Sequence, residues 1–282
     1  MNTPLLIVIV ALLASPSALF CDEPKLVPNA KLTFEFPELP ETFYTQSTGD
    51  KRPAMLTAQL PENYTREGRF PIFVFVNGGN GGRGDSLTAR SIAGPRDFIA
   101  VSLPLFKDKA PANAPQIPGF KLNPAQIILP GDGAILSRAY VPMLKKLCDT
   151  VPNIAKEHSV LGGFSNGAHA ASALVADGDE FILSHFTAFC FYEGGIAVAL
   201  NPTALHRPGL KGSRFIALFG NGGDIAGRKL AEPFLVELTA QASAAKLDFT
   251  RIVMRGHGHE MPPEYTKLLG NWIRGERLPE VK

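Results

Sequence analysis

Lys31 to Phe36 and Ala54 to Leu60 place apolar and polar side chains in turn, the two-residue period of a strand with one covered face. Arg69 to Val76 is different: Phe, Ile, Phe, Val, Phe and Val follow one another with almost no polar break, the mark of a strand buried on both faces. Phe98 to Leu103, Phe186 to Tyr192 and Arg214 to Phe219 repeat that character, and Phe249 to Met254 supplies a last strand. Between the strands lie stretches with helical spacing: Ser86 to Ile92, Ala134 to Asp149, Ala168 to Ala176, Lys229 to Ala245 and Glu264 to Arg274. Strand and helix alternate from about Phe70 onward. That alternation predicts an α/β fold, a mostly parallel central sheet with helices on both faces. No internal repeat or linker interrupts it, so residues 22–282 are expected to form a single domain. The Pro-rich stretch from Leu103 to Pro130 is expected as a long loop over one end of the sheet, a lid.

One junction stands apart. His158-Ser159-Val160-Leu161 reads as a strand, Ala168 to Ala176 as a helix, and Gly163-Phe164-Ser165-Asn166-Gly167 joins them. Strand, Gly-x-Ser-x-Gly, helix is the context in which a serine is raised above a sheet edge as a nucleophile. Such a turn is too tight for ordinary neighbours, and glycine at the flanking positions has no Cβ to clash. The helix that follows offers its first N–H groups to a developing negative charge. A Gly-Ser turn that merely links two elements is the bland alternative, and it is weighed by what other strand ends carry.

In a parallel sheet, ligand groups gather at the carboxyl ends of the strands. After the strand ending at Val76 comes Asn77-Gly78-Gly79-Asn80-Gly81-Gly82, whose backbone N–H groups can share an oxyanion with that of Asn166. Gly79 and Asn80 are both candidates for the second donor. The same glycines formally match a dinucleotide-binding fingerprint, but the next strand runs into Ser102-Leu103-Pro104 rather than ending in an acid, and no Gly-Lys-Ser/Thr is present for a P-loop. After the strand ending at Phe219 comes Gly220-Asn221-Gly222-Gly223-Asp224, and an aspartate there can orient a histidine. Its bland reading is a helix cap. Glu193, just past Tyr192, is the competing acid. After the last strand comes Arg255-Gly256-His257-Gly258-His259-Glu260. His259 is preferred as the base and His257 is the alternative. As His-x-His the two could instead ligate a metal, but no carboxylate cluster at ligand spacing accompanies them. His169, on the elbow helix, reads as a packed or surface residue.

Composition narrows the picture. The chain has 282 residues, 45% of them hydrophobic, with a formal net charge of +2. That suits one large domain with a sizeable core. Lys and Arg are scattered rather than striped, so no nucleic-acid partner is expected. Met1 to Cys21 carries a nine-residue apolar run, Leu5 to Leu13, then Ala14-Ser15-Pro16-Ser17-Ala18. This is the shape of a signal peptide, too short to span a bilayer comfortably, and it predicts export to the periplasm or beyond with no stable membrane insertion after cleavage. Three cysteines are too few for a disulfide framework. With Cys21 removed, Cys148 and Cys190 remain. The apolar run around Cys190 predicts a buried thiol, and an oxidising compartment leaves a single bridge open.

The order Ser165, Asp224, His259, with the Asn77-Gly78-Gly79 loop and Gly258-His259-Glu260, resembles the α/β-hydrolase superfamily. The closing stretch with Trp272-Ile273-Arg274 looks like that of secreted esterases related to polyhydroxybutyrate depolymerases and feruloyl esterases. The resemblance covers about Ala54 to the end. It departs at Asn77, where many members carry histidine before the glycines. It implies acyl transfer to water through a Ser165–His259–Asp224 triad, with Glu193 as the alternative acid, an oxyanion hole at Gly79 and Asn166, and a small or polymeric ester as substrate. No metal or cofactor is required by that chemistry. A serine peptidase of the same fold and a non-catalytic binding module on a hydrolase scaffold are the competing functions. The peptidases usually carry a further large domain, and a binding module has no need of all three triad groups.

Overall fold

The unbroken apolar run of the central strand has a simple cause. In β3 (Phe70–Val76), Phe70, Ile72, Val74 and Val76 enter one core while Phe73 and Phe75 enter the other. Both faces are covered, so neither set can be polar. The computed structural model describes residues 24–39, 53–79, 82–106, 132–195, 207–222, 236–276 and 278. The segment expected to be a signal peptide lies outside them.

The described residues form one eight-stranded sheet in the order β1-β2-β4-β3-β5-β6-β7-β8. Its other members are β1 (Lys31–Phe36), β2 (Ala54–Gln59), β4 (Ile99–Ser102), β5 (Ile154–Phe164), β6 (Ala188–Tyr192), β7 (Arg214–Gly220) and β8 (Asp248–Met254). β2 runs antiparallel to β1 and β4, and every pairing from β4 to β8 is parallel. Helices α2 (Gly133–Thr150), α3 (Asn166–Asp177), α4 (Glu180–His185) and α5 (residues 236–244) pack on one face. Helices α1 (Thr88–Ala93) and α6 (Pro263–Ile273) cover the other with Ile92, Leu268, Leu269 and Trp272. The expected fold class is therefore the observed one.

β5 and α4 depart most from expectation. β5 begins at Ile154 rather than His158. Lys156, Glu157 and His158 are exposed, but Ile154 and Ala155 before them pair with Phe70 and Pro71 of β3 ahead of a register shift. α4 is an unanticipated helix of six residues, capped by Asp179, whose carboxylate accepts from the Phe181 and Ile182 N–H groups. Of the expected lid, only its start is described. Leu103, Leu105 and Phe106 are buried, Leu105 bridges to Gly82, and Phe106 stacks on Tyr140 of α2 with ring centroids 5.0 Å apart. Residues 107–131 lie outside the described set. Cys148 and Cys190 are free thiols. Among the described residues, no helix is long and apolar enough to cross a membrane.

Candidate active site

β5 delivers its chain into α3 through a single residue. Ser165 sits between Phe164 and Asn166 with φ 55° and ψ −122°, a conformation that costs an L-residue about 1–3 kcal/mol. The flanking glycines permit the turn by close approach. A Cβ on Gly163 would lie 2.4 Å from the Gly167 carbonyl carbon, and one on Gly167 would lie 2.0 Å from the Val76 oxygen. Neither position has room for any side chain, so α3 can start directly against the end of β3. The Ser165 N–H donates to the Tyr192 oxygen at 2.9 Å, tying the turn to β6. Ser165 is the N-cap of α3 but makes no capping hydrogen bond with its side chain.

Its hydroxyl faces a histidine instead. Ser165 Oγ lies 2.7 Å from His259 Nε2, and His259 Nδ1 lies 3.1 Å from Glu193 Oε2. The second Glu193 oxygen accepts the Gly220 N–H at the end of β7. The Glu193 side chain is 3% exposed and that of His259 is 42% exposed. The carboxylate is thus shielded from water while the imidazole stays open to solvent. A buried carboxylate held by an N–H donor favours the Nδ1–H tautomer of the imidazole, leaving Nε2 to accept from the serine. Phe164 backs the arrangement, its ring 5.0 Å from that of His259 and packed edge-on to Tyr192.

The position at His259 Nδ1, for which the sequence favours Asp224 with Glu193 as the alternative, is held by Glu193. Asp224 lies outside the described residues. Glu193 is held at His259 by its turn at φ 54° after β6 and by the Gly220 N–H at the end of β7. The described part of the β7 loop is spent on backbone ties: Gly222 N–H donates to the His257 oxygen at 2.7 Å, and Asn221 accepts from Gly256.

His257, the alternative base, points away from the serine. Its Nδ1 lies 2.9 Å from Glu260 and its Nε2 lies 3.0 Å from Glu264, so both ring nitrogens are occupied. Those carboxylates raise its pKa, the Glu260 hydrogen bond most of all. The two histidines of His-x-His do not converge, and no group of three or more metal-ligating side chains occurs among the described residues.

The residues expected to form an oxyanion hole meet beside Ser165. Asn166 opens α3, where an N–H has no acceptor within the helix. Its side-chain amide donates to the Gly79 oxygen at 2.6 Å, bracing the β3 loop. Gly78 lies so close that a Cβ there would meet Ser165 Cβ at 2.8 Å. His169, read from the sequence as a packed or surface residue, is half-buried inside the site. Its Nδ1 accepts the Gly195 N–H at 3.3 Å, and burial, then the neighbouring His259, push its pKa down to about 4. Its signal was its position, four residues after the serine and on the same helix face.

No family model matches the chain, and no curated protein sequence matches it. Solved structures do. An S-formylglutathione hydrolase from Agrobacterium tumefaciens superposes with a TM-score of 0.52 at 11% identity, covering 89% of this chain and 94% of that one. A ferulic acid esterase from Anaeromyces mucronatus, in complex with ferulic acid, gives 0.52 at 13% identity, covering 88% and 90%. Against a thermostable esterase the chain covers 88% of itself and 60% of that protein's length, with a TM-score of 0.49 at 15% identity. The likeness is one of fold, the α/β-hydrolase fold.

Proposed function

We propose that the chain is an exported serine hydrolase that cleaves carboxylic esters through an acyl-enzyme intermediate. The observation that carries this reading is the relay from Glu193 Oε2 to His259 to Ser165 Oγ, built on a strained elbow. His259 Nε2 takes the Ser165 proton as Oγ attacks the ester carbonyl. The resulting oxyanion is stabilised by the N–H of Asn166 and a donor of the Gly79 loop. Collapse of the tetrahedral species expels the alcohol, which receives the proton from His259. Water then repeats the sequence on the acyl-enzyme and releases the carboxylic acid. Glu193 stays ionised throughout and stabilises the transient imidazolium. Export is supported by the signal-peptide pattern of Met1 to Cys21.

Ester rather than amide cleavage is favoured by the likeness in fold to the S-formylglutathione hydrolase and the ferulic acid esterase. A panel of p-nitrophenyl esters and peptide p-nitroanilides tests it on the mature protein. Ester turnover blocked by a serine-reactive phosphonate is the expected result. Preference for the anilides would make the protein a peptidase, and failure of the phosphonate to label it would make it a binding module.

A further inference from the structure

The acid comes from an unusual turn. Glu193 has φ 54°, and a residue held there persists only when its surroundings over-determine it. Its own N–H donates to the Leu218 oxygen at 2.9 Å, which fixes the entry to the turn. The exit consists of two glycines with no side chains to anchor it. Gly194 is pressed on the nucleophile's backbone, since a Cβ there would be 2.4 Å from the Ser165 oxygen. Gly195 has φ 85° and would place a Cβ 2.5 Å from the Ala168 oxygen. The side chain that holds this exit is His169, through the Gly195 N–H. The His169 N–H in turn donates to the Ser165 oxygen at 3.1 Å, the same oxygen that Gly194 faces.

We propose that His169 is a positioning residue: by accepting the Gly195 N–H at Nδ1, it holds the Glu193-Gly194-Gly195 turn against the elbow and aims the Glu193 carboxylate at His259. Its functional consequence rests on the serine-hydrolase reading; the contact itself does not. The role requires a neutral ring with its proton on Nε2, because a protonated Nδ1 cannot accept. Burial and the nearby His259 keep it neutral, with a pKa pushed down to about 4. Neutrality has a second consequence: a charged His169 would repel the imidazolium that His259 becomes in each half-reaction.

Two variants and one spectrum test this. His169→Asn keeps an acceptor oxygen near the position of Nδ1, and His169→Leu removes it. His169→Leu is expected to lower kcat on an ester about tenfold or more with KM nearly unchanged, and His169→Asn to recover most of the loss. In a Glu193→Gln background, where no carboxylate remains to aim, His169→Leu is expected to cost less than about threefold. Equal kcat for the Leu and Asn variants overturns the proposal, and so does an equal loss in both backgrounds, since a merely structural residue gives those results. Two-bond proton–nitrogen spectra of the resting Ser165→Ala protein supply a readout independent of turnover and of whether the Leu variant folds. An unprotonated His169 Nδ1 from about pH 5 to 8 is expected, and a protonated one overturns the proposal. A wild-type protein without esterase activity would count against the hydrolase reading, while the spectrum would still decide the contact.

Discussion

Ser165 and Glu193 are the two non-glycine residues of the site with positive φ, and they end adjacent strands. Their backbones lift one hydroxyl and one carboxylate over the sheet edge, and His259 spans the gap. The serine and histidine were readable because each sits in a distinctive local frame, Gly-x-Ser-x-Gly and a glycine-rich loop after the last strand. The acid was not. Glu193 and Asp224 both lie near glycines just beyond an apolar strand, and the residue pattern carries no sign of the left-handed turn that brings Glu193 to His259. Glu193→Gln should therefore lower kcat by roughly four orders of magnitude, as an amide in the triad favours the wrong histidine tautomer. Asp224→Asn should leave kcat nearly intact. Steady-state kinetics of the two variants side by side check this, and collapse of the Asp224 variant alone would return the acid to β7. Asn166→Ala keeps the helix N–H but removes the brace on the Gly79 oxygen. A fall in kcat of about tenfold, smaller than the loss of a direct oxyanion donor, is expected in the same assay.

At the scale of elements, the site depends on how closely α3 starts against β3. Gly167→Ala would place a methyl 2.0 Å from the Val76 oxygen, a backbone atom that cannot rotate away. The variant should lose stability by about 1–3 kcal/mol in urea unfolding and lose most of its activity as Ser165 shifts. Wild-type stability would contradict the packing described. The loop from β8 to α6 is organised by His257, whose ring joins Glu260 to Glu264 in the first turn of α6. His257→Ala should weaken activity far less than His259→Ala, because it loosens the loop and leaves the base in place. The strands buried on both faces were legible from their apolar runs. The start of β5 was not, because Lys156, Glu157 and His158 are exposed there and fall in the register shift between Pro71–Ala155 and Phe73–Val160, where His158 takes φ 68°. α4 escaped because six residues are too few to display a helical period.

For the whole molecule, two histidines make stability depend on pH with opposite signs. His169 has its pKa lowered from 6.5 to about 4, so between those values the unfolded chain binds a proton that the folded chain refuses. Stability then falls as pH drops through that window. His257 has its pKa raised above 6.5, so its contribution is complete below that value and is lost as pH rises through the folded pKa. Urea midpoints measured against pH should show a shallower acid loss for His169→Asn and a shallower alkaline loss for His257→Asn. Unchanged slopes would contradict the burial of the first or the carboxylate clamp of the second. A chelator should leave ester turnover unchanged, and loss restored by zinc would favour a metal role for the His257 loop.

The central claim is that Ser165 is the nucleophile of an ester hydrolase. The most direct measurement compares kcat on a p-nitrophenyl ester for wild type, Ser165→Ala, His259→Ala and the double variant, with circular dichroism to verify folding. Each single variant is expected to lose on the order of a million-fold, and the double variant no more, because serine and histidine act as one unit. Near-normal turnover by folded Ser165→Ala would contradict the account.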